Sequence, residues 1–306
     1  MRIAVMGSGG VGGYFGGRLA ASGQEVTFVA RGVHLDGIRQ RGLAITSALG
    51  DATIRPAKAT DDPARIGPVD LVIFAVKLYD SERAAGAIRP LVGPGTGVVT
   101  LQNGVDSTDV LARVHGAEHV IGGVANIAAV ITEPGVIRHT GTMARVVFGE
   151  LDGRRSDRVA ALAEALRAAG VDHRLSDDIQ RDIWDKMVLL SAFSGLTALM
   201  RLPIGPIREE PETRAMYREG LAEALAVARA KGISLPDDLT EQKLAQTDAL
   251  PYQMKSSMLE DLERGRRLEL PWLSGAIVRM GQELGIATPI HGFVTTALKL
   301  HVTGAG

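Results

Sequence analysis

The chain contains no cysteine, which removes disulfides, thiolate metal sites and a cysteine nucleophile together. Neither sign of charge is in excess: 34 basic and 35 acidic side chains leave a formal net charge of −1. No basic field attracts nucleic acid and no acidic bias marks a disordered chain, so small-molecule partners are favoured. Long hydrophobic runs are scarce too. The longest weakly polar run, "VIGGVANIAAVI" at 120–131, falls well short of the roughly 20 residues of a spanning helix, so no membrane segment is expected. The seven histidines show no metal-ligand spacing, and His291 reads as a packing or capping residue. There are no internal repeats and no low-complexity tracts. The start, "MRIAVMGSGGVGGYFGGRLAASG", is loosely signal-like, but its glycines and Arg18 leave no clean apolar region. We read it as structure and expect a cytoplasmic protein.

What is present points to two domains, the usual number for 306 residues at about 100–200 residues each. In the first half, the short β-branched runs "RIAVMG", "EVTFVA", "DLVIFAV", "GVVTLQN" and "HVIGGVA" alternate with helical patterns such as "DSERAAGAIRPLV" and "STDVLARVH". Near-continuous apolar strands separated by helices predict a parallel sheet covered on both faces. "AAVITEPGVIRHTG" and "ARVVFGE" then predict an antiparallel extension through a Glu133-Pro134-Gly135 turn. A helix near 155–169 and a strand near "VDHRLS" close the domain. Beyond it, "PETRAMYREGLAEALAVARAKG" has Pro211 in its first turn, Tyr217, Leu221 and Leu225 on one face, and Gly232 as its stop. The expected fold is an α/β Rossmann-type N-terminal domain, mainly parallel with an antiparallel extension, at 1–176, and an all-α C-terminal domain at 177–306, with a cleft between them.

"VMGSGGVG" places Gly7, Gly9 and Gly12 in a GxGxxG pattern, with Gly10 among them, between the first strand and a helix. In that setting glycines allow a tight turn and let backbone N–H groups approach a pyrophosphate at the helix start. NAD readers usually carry an acidic residue at the end of the second strand, about 20 residues on. Here "EVTFVAR" ends in Arg31, whose planar fork suits a 2′-phosphate, so NADPH is expected over NADH. Lys77 and Asn103 sit at the ends of two further strands, where ligands of open α/β sheets bind. As bland alternatives, Arg31 is an ordinary loop residue, Lys77 a solvated strand-exit lysine, and Asn103-Gly104 a common turn.

In "WDKMVLLSAFSGLTAL", Asp182, Lys186, Leu190 and Ser194 recur every four residues and share one helical stripe. Geometry alone favours an exposed Lys186 paired with Asp182. The stretches "IAVMGSGGVGGYFGGRLAASGQEVTFVAR", "FAVK", "LQNGVD", "WDKM", "SSMLEDLERGRRLE" and "LGIATPI", in this order, resemble the ketopantoate reductase (2-dehydropantoate 2-reductase) family over essentially the whole chain. The resemblance implies NADPH-dependent reduction of 2-dehydropantoate to pantoate. It implies Lys186 as the catalytic lysine at the substrate carbonyl, Glu269 as the acidic residue that organises it, and Asn103 as the active-site asparagine. It further implies Lys77 and Arg31 as NADPH contacts, Ser257 as a substrate-binding serine, and a homodimer. Two competing readings are local: Glu269 as an exposed partner of neighbouring arginines, and Ser257-Met-Leu-Glu260 as a capping box.

The chain departs from the family at the far end of the substrate. Typical members carry asparagines four and eight residues after the lysine, where this sequence has Leu190 and Ser194. Pro271, Trp272 and Ser274 likewise replace an acidic residue, an aromatic and a frequent asparagine. Leucine cannot hydrogen-bond a substrate hydroxyl, so a paralogue reducing a different, less polar 2-oxo acid is the alternative. Two other classes remain: a 3-hydroxyacid or polyol-phosphate dehydrogenase, disfavoured by the joint spacing of Lys186, Ser257 and Glu269, and a non-catalytic NADPH-binding sensor.

Overall fold

The short apolar runs of the first half become strands of one sheet, ten-stranded among the described residues. The structure, a computed structural model, describes residues 1–304. In chain order its first part runs β1 (Arg2–Met6), α1 (Gly10–Ala21), β2 (Glu25–Val29), α2 (Gly32–Arg41), β3 (Leu43–Thr46), β4 (Ala52–Ile54), β5 (Lys58–Thr60), β6 (Leu71–Phe74) and α3 (Ser81–Ala87). It continues with β7 (Gly97–Thr100), α4 (Ser107–His115), β8 (Val120–Glu133), β9 (Val136–Glu150), α5 (Asp157–Ala168) and β10 (Asp172–Leu175). The strand order is β4-β3-β9-β8-β7-β6-β1-β2-β5, with β10 beside β9. All neighbouring pairs are parallel except β3 with β4 and β8 with β9. This is a Rossmann-type domain with an antiparallel extension, followed by a helical domain.

The strand sequences follow from burial on both faces. In β1, Ile3 and Val5 enter one core while Ala4 and Met6 enter the other; in β6, Leu71 and Ile73 part in the same way from Val72 and Phe74. A strand covered on both sides needs an apolar residue at every position, which produces the continuous runs. Tyr14, Phe15 and Leu19 of α1 and Val159, Leu162 and Leu166 of α5 fill the first core; Ala84 of α3 and Leu111 of α4 join the second. Fully burying one such large side chain contributes about 1.5–3 kcal/mol.

The elements differ from the sequence expectation in three ways. "HVIGGVA" and "AAVITE" are one strand, β8, which pairs with β7 at its start and with β9 along its length through two register irregularities. Strands β3, β4 and β5 were not expected: they have four, three and three residues, too short for a periodicity, and exist through their pairing partners. The helix after residue 80 stops at Ala87, because Pro90 has no N–H to continue it and the chain takes a tighter turn over Arg89–Leu91.

The chain divides by contacts into two compact units, Met1–Asp182 and Ile183–Gly306. The described part of the second is helical: most of α6 (Ile179–Met200), then α7 (Ile204–Glu209), α8 (Pro211–Ala230), α9 (Leu239–Asp248), α10 (Ser257–Glu263), α11 (Ser274–Leu284) and α12 (Pro289–Ala297). Helix α6 corrects the expectation that no segment is long and apolar enough to cross a membrane, since by length and composition alone it is. Its most apolar window is 67% buried inside the fold, as in a core helix, and Asp182, Asp185 and Lys186 disguise it in the sequence. In α8, Tyr217, Leu221 and Leu225 are buried, and Glu223 accepts the Ile290 and His291 N–H groups at 2.7 and 3.0 Å, which caps α12. His291 is buried, with Nε2 2.9 Å from the Gly220 carbonyl oxygen.

Burial pushes the His291 pKa down to about 4. The unfolded chain, with an ordinary histidine near 6.5, therefore binds the extra proton first. This contribution to stability is complete above about pH 6.5 and is lost as pH falls toward 4, at up to about 1.4 kcal/mol per pH unit. Denaturant unfolding at several pH values checks it, with His291→Asn expected to flatten the profile in that window.

Candidate active site

Strand β1 delivers the chain to Gly7, whose φ of +97° lies in the left-handed region that favours glycine. A Cβ there would lie 2.8 Å from the Ala75 backbone, one on Gly12 would lie 2.2 Å from the Gly7 carbonyl oxygen, and one on Gly10 would lie 1.9 Å from that of Ala129. Gly9 differs, because among the described residues other than its chain neighbours no atom lies within 4 Å of where its Cβ would stand. Helix α1 starts immediately behind it with no side-chain cap. An uncapped helix start beside open space at Gly9 is a fitting cradle for a dinucleotide's pyrophosphate.

Arg31, Lys77 and Asn103 follow β2, β6 and β7, and the sheet order β7-β6-β1-β2 places all three strand ends on the edge that carries the glycine loop. Arg31 is exposed, N-terminal to α2, with its guanidinium 3.3 Å from the Asp80 carboxylate. Asp80 also holds Arg83 at 2.8 Å. No local pattern pointed to Asp80, which is 49 residues from Arg31 in the chain and meets it across the β2–β6 side of the sheet. Lys77 and Asn103 are half-buried, and Gly104 has a φ of +74°, as the Asn-Gly turn requires.

In the second unit Lys186 does not find Asp182 as its charge partner. The Asp182 carboxylate is engaged by Arg174 at 2.5 Å and by the Ser176 hydroxyl. Burial around the Lys186 ammonium pushes its pKa down to about 8, and the negative charge of Glu269 opposes that fall. Glu269 is only 6% exposed, which corrects its reading as an exposed residue. It stands at the head of the short turn Leu270–Trp272, where the Trp272 N–H donates to its carbonyl at 3.0 Å.

The rest of the stripe grades from open to closed. Leu190 is half-buried, while Ser194 is fully buried and its Oγ has no hydrogen-bond partner among the described residues. Ser274 is fully buried, donates to the Ser191 carbonyl at 3.3 Å and packs against Gly195, so it joins α11 to α6. Pro271 and Trp272 are half-buried.

The capping reading of Ser257 is corrected. The cap of α10 is Ser256, whose Oγ accepts the Leu259 N–H at 3.1 Å and also meets Thr197 Oγ1 at 2.7 Å. Ser257 is one position inside the helix and exposed. Adjacent serines make the register of a cap unreadable from spacing alone, and burial of the first one decides it.

Residues 3–153 match the family model described as ketopantoate reductase PanE/ApbA, and residues 178–302 match its C-terminal companion. The chain is 34% identical to a 2-dehydropantoate 2-reductase of Halobacterium salinarum over 98% of each chain. It resembles the crystal structure of 2-dehydropantoate 2-reductase from Geobacter metallireducens GS-15, with a TM-score of 0.92, 37% identity, and coverage of 98% of this chain and 99% of that one. It also resembles a ternary structure of D-mandelate dehydrogenase with NADH and anilino(oxo)acetate, with a TM-score of 0.89 and 25% identity over 98% of each chain.

If Glu269 is what opposes the burial of Lys186, neutralising it must lower the lysine's pKa further. Glu269→Gln is expected to shift the Lys186 titration to lower pH, read by nuclear magnetic resonance after reductive methylation with carbon-13. An unchanged titration would remove Glu269 from the electrostatics of the lysine.

Proposed function

The chain belongs to the ketopantoate reductase family and is an oxidoreductase of the carbonyl–alcohol class, and from that premise we propose that it reduces a 2-oxo acid to the 2-hydroxy acid with NADPH, with 2-dehydropantoate as the first substrate to test. The observation that carries this reading is Lys186, whose surroundings bring its pKa to about 8 with Glu269 as the opposing charge. A cofactor-binding sensor has no use for such a group.

When bound, the nicotinamide cofactor supplies the hydride for the carbonyl carbon. The Lys186 ammonium donates a hydrogen bond to the carbonyl oxygen, stabilises the charge that develops there, and then protonates the alkoxide. With a pKa of about 8 it is a stronger acid than an ordinary lysine near 10.4 and is still mostly charged at neutral pH. Glu269 keeps the proton on the lysine until the substrate oxygen needs it. In this reading Asn103 donates to the reacting groups and Ser257 contacts the substrate. Gly7, Gly9, Gly10 and Gly12 form the pyrophosphate cradle. Arg31 and Lys77 take the 2′-phosphate, and the exposure of Arg31 leaves its fork accessible beside Asp80. We place the reaction in the cytoplasm, where NADPH is drawn on for reduction.

A second reading concerns the substrate and is favoured by the stripe itself. Of the stripe residues beyond Lys186, Leu190 is half-buried, while the hydroxyl of Ser194 is enclosed. An apolar contact at that point suits a 2-oxo acid whose far end is less polar than that of 2-dehydropantoate. The dehydrogenase for mandelate, which shares the fold, is named for a substrate with an aromatic group at that end.

Three outcomes are expected. Lys186→Ala lowers kcat by about 10²–10⁴-fold while fluorescence titration shows NADPH still bound, and the wild-type kcat falls as pH rises through about 8, because the protonated lysine is the donor. In a panel of 2-oxo acids at matched concentrations, Leu190→Asn raises kcat/KM for 2-dehydropantoate relative to apolar acids by roughly tenfold or more, as a gained hydrogen bond would. A preference that does not move would exclude Leu190 from substrate contact.

A further inference from the structure

The glycine loop has few means of fixing its own shape, since Gly7, Gly9 and Gly10 carry no side chains and α1 has no side-chain cap. The exception is Ser8, which is buried. Its N–H and its Oγ both reach the Val29 carbonyl at the end of β2, at 3.2 and 3.1 Å. Its carbonyl oxygen lies 2.8 Å from Nε2 of His34, in the first turn of α2. The other ring nitrogen, Nδ1, accepts the Gly135 N–H at 3.1 Å. A nitrogen that accepts an N–H carries no proton, so the ring is the neutral tautomer with its hydrogen on Nε2, and that hydrogen is donated to Ser8.

Both ends of this bridge have consequences. Gly135 belongs to the turn between β8 and β9, which is held on several sides: Arg41 donates to the Pro134 carbonyl at 2.6 Å and the Ala44 N–H to that of Gly135 at 2.8 Å. A Cβ on Gly37 would lie 2.5 Å from the Pro134 backbone, so α2 and the turn are in direct backbone contact. At the other end, the Ser8 carbonyl shares a planar trans peptide with the Gly9 N–H, and the two point in opposite directions. Holding the carbonyl toward His34 therefore holds the Gly9 N–H away from it. That N–H meets no protein acceptor among the described residues, and the space beside Gly9 is open.

We propose that His34 is a positioning residue for the cofactor: a strut between the β8–β9 turn and Ser8 that aims the Gly9 N–H at the bound pyrophosphate. This rests on the reading that the glycine loop takes a nicotinamide dinucleotide. His34 itself contacts loop backbone only through Ser8, so its effect belongs to cofactor affinity and not to the chemical step.

Substitutions separate the two halves of the strut. The amide nitrogen of glutamine reaches the place of Nε2, so His34→Gln keeps the donor to Ser8. The amide oxygen of asparagine takes the place of Nδ1, so His34→Asn keeps only the acceptor for Gly135. Equilibrium titration with NADPH and NADH, read by nicotinamide fluorescence, is expected to show Kd raised roughly tenfold in His34→Ala and His34→Asn, the weight of one lost hydrogen bond, and largely restored in His34→Gln. The cofactor KM should follow Kd, with a much smaller change in kcat at saturating cofactor. Equal losses in the glutamine and asparagine variants would overturn the proposal in favour of a merely structural histidine, as would an unchanged Kd in all three. Because the contrast lies between Gln and Asn, it survives if the alanine variant fails to fold. A wild-type protein that bound neither dinucleotide would overturn the cofactor reading itself, and the strut with it.

Discussion

The closeness of α1 to the sheet is the constraint from which the cofactor end follows. A side chain at position 12 would have to occupy space 2.2 Å from the Gly7 carbonyl oxygen, and one at position 16 space 2.5 Å from a Val5 methyl. With glycine at both, the helix settles directly onto β1, and Tyr14, Phe15 and Leu19 are buried with Val5 in the first core. The N–H groups of its first turn are thereby carried to the carboxyl ends of the central strands, where β2, β6 and β7 bring Arg31, Lys77 and Asn103. Packing and binding are one demand here: the glycines that let the helix approach also clear the loop of side chains. The loop then needs support from outside, and Ser8 with His34 supplies it.

Two desolvated bases in the helical unit show how environment sorts structure from chemistry. His291 is enclosed, donates to a backbone carbonyl, and is held neutral with a pKa of about 4. Lys186 experiences the same penalty, but Glu269 offsets part of it and the pKa stops at about 8. Desolvating an unpaired charge costs several kcal/mol, so without an acid near it a lysine would lose its proton at neutral pH. The carboxylate thus favours the charged form of Lys186 that the proposed reaction needs, whereas His291 is a neutral piece of packing. Helix α6 bears the cost of carrying the lysine by being apolar elsewhere, with Trp184, Met187 and Val188 buried around it.

Local features were legible in the sequence and non-local ones were not. The glycine pattern, the runs of β1 and β6 and the face of α8 depend on near neighbours in the chain, so spacing alone reveals them. The stripe from Lys186 to Ser194 was readable as geometry, but its bland interpretation failed because Arg174 and Ser176, from another element, take Asp182. The cap of α10 was misplaced by one residue for a similar reason: Ser256 is preferred because Thr197 of α6 is there to meet it. Strands β3 and β5 pair with β9 and β2, distant in sequence, and β4 exists through β3 alone. Asp80 and His34 act across 49 and 26 residues respectively, and no periodicity encodes such contacts.

The difference between Leu190 and an asparagine also bears on how sharply the enzyme can choose. In the proposed reaction any 2-oxo acid offers the carbonyl that Lys186 would address, so discrimination must come from the other end of the molecule. A polar group that must be paired rejects analogues lacking its partner by factors of about 10⁴–10⁵, because they leave it buried and unsatisfied. An apolar wall discriminates by only about 1–3 kcal/mol per methylene and tolerates many shapes. On the proposed reading, with Leu190 half-buried and the Ser194 hydroxyl closed off, the second kind of selection is the one that would apply. On this argument breadth, as much as a change of preferred substrate, is what the leucine confers.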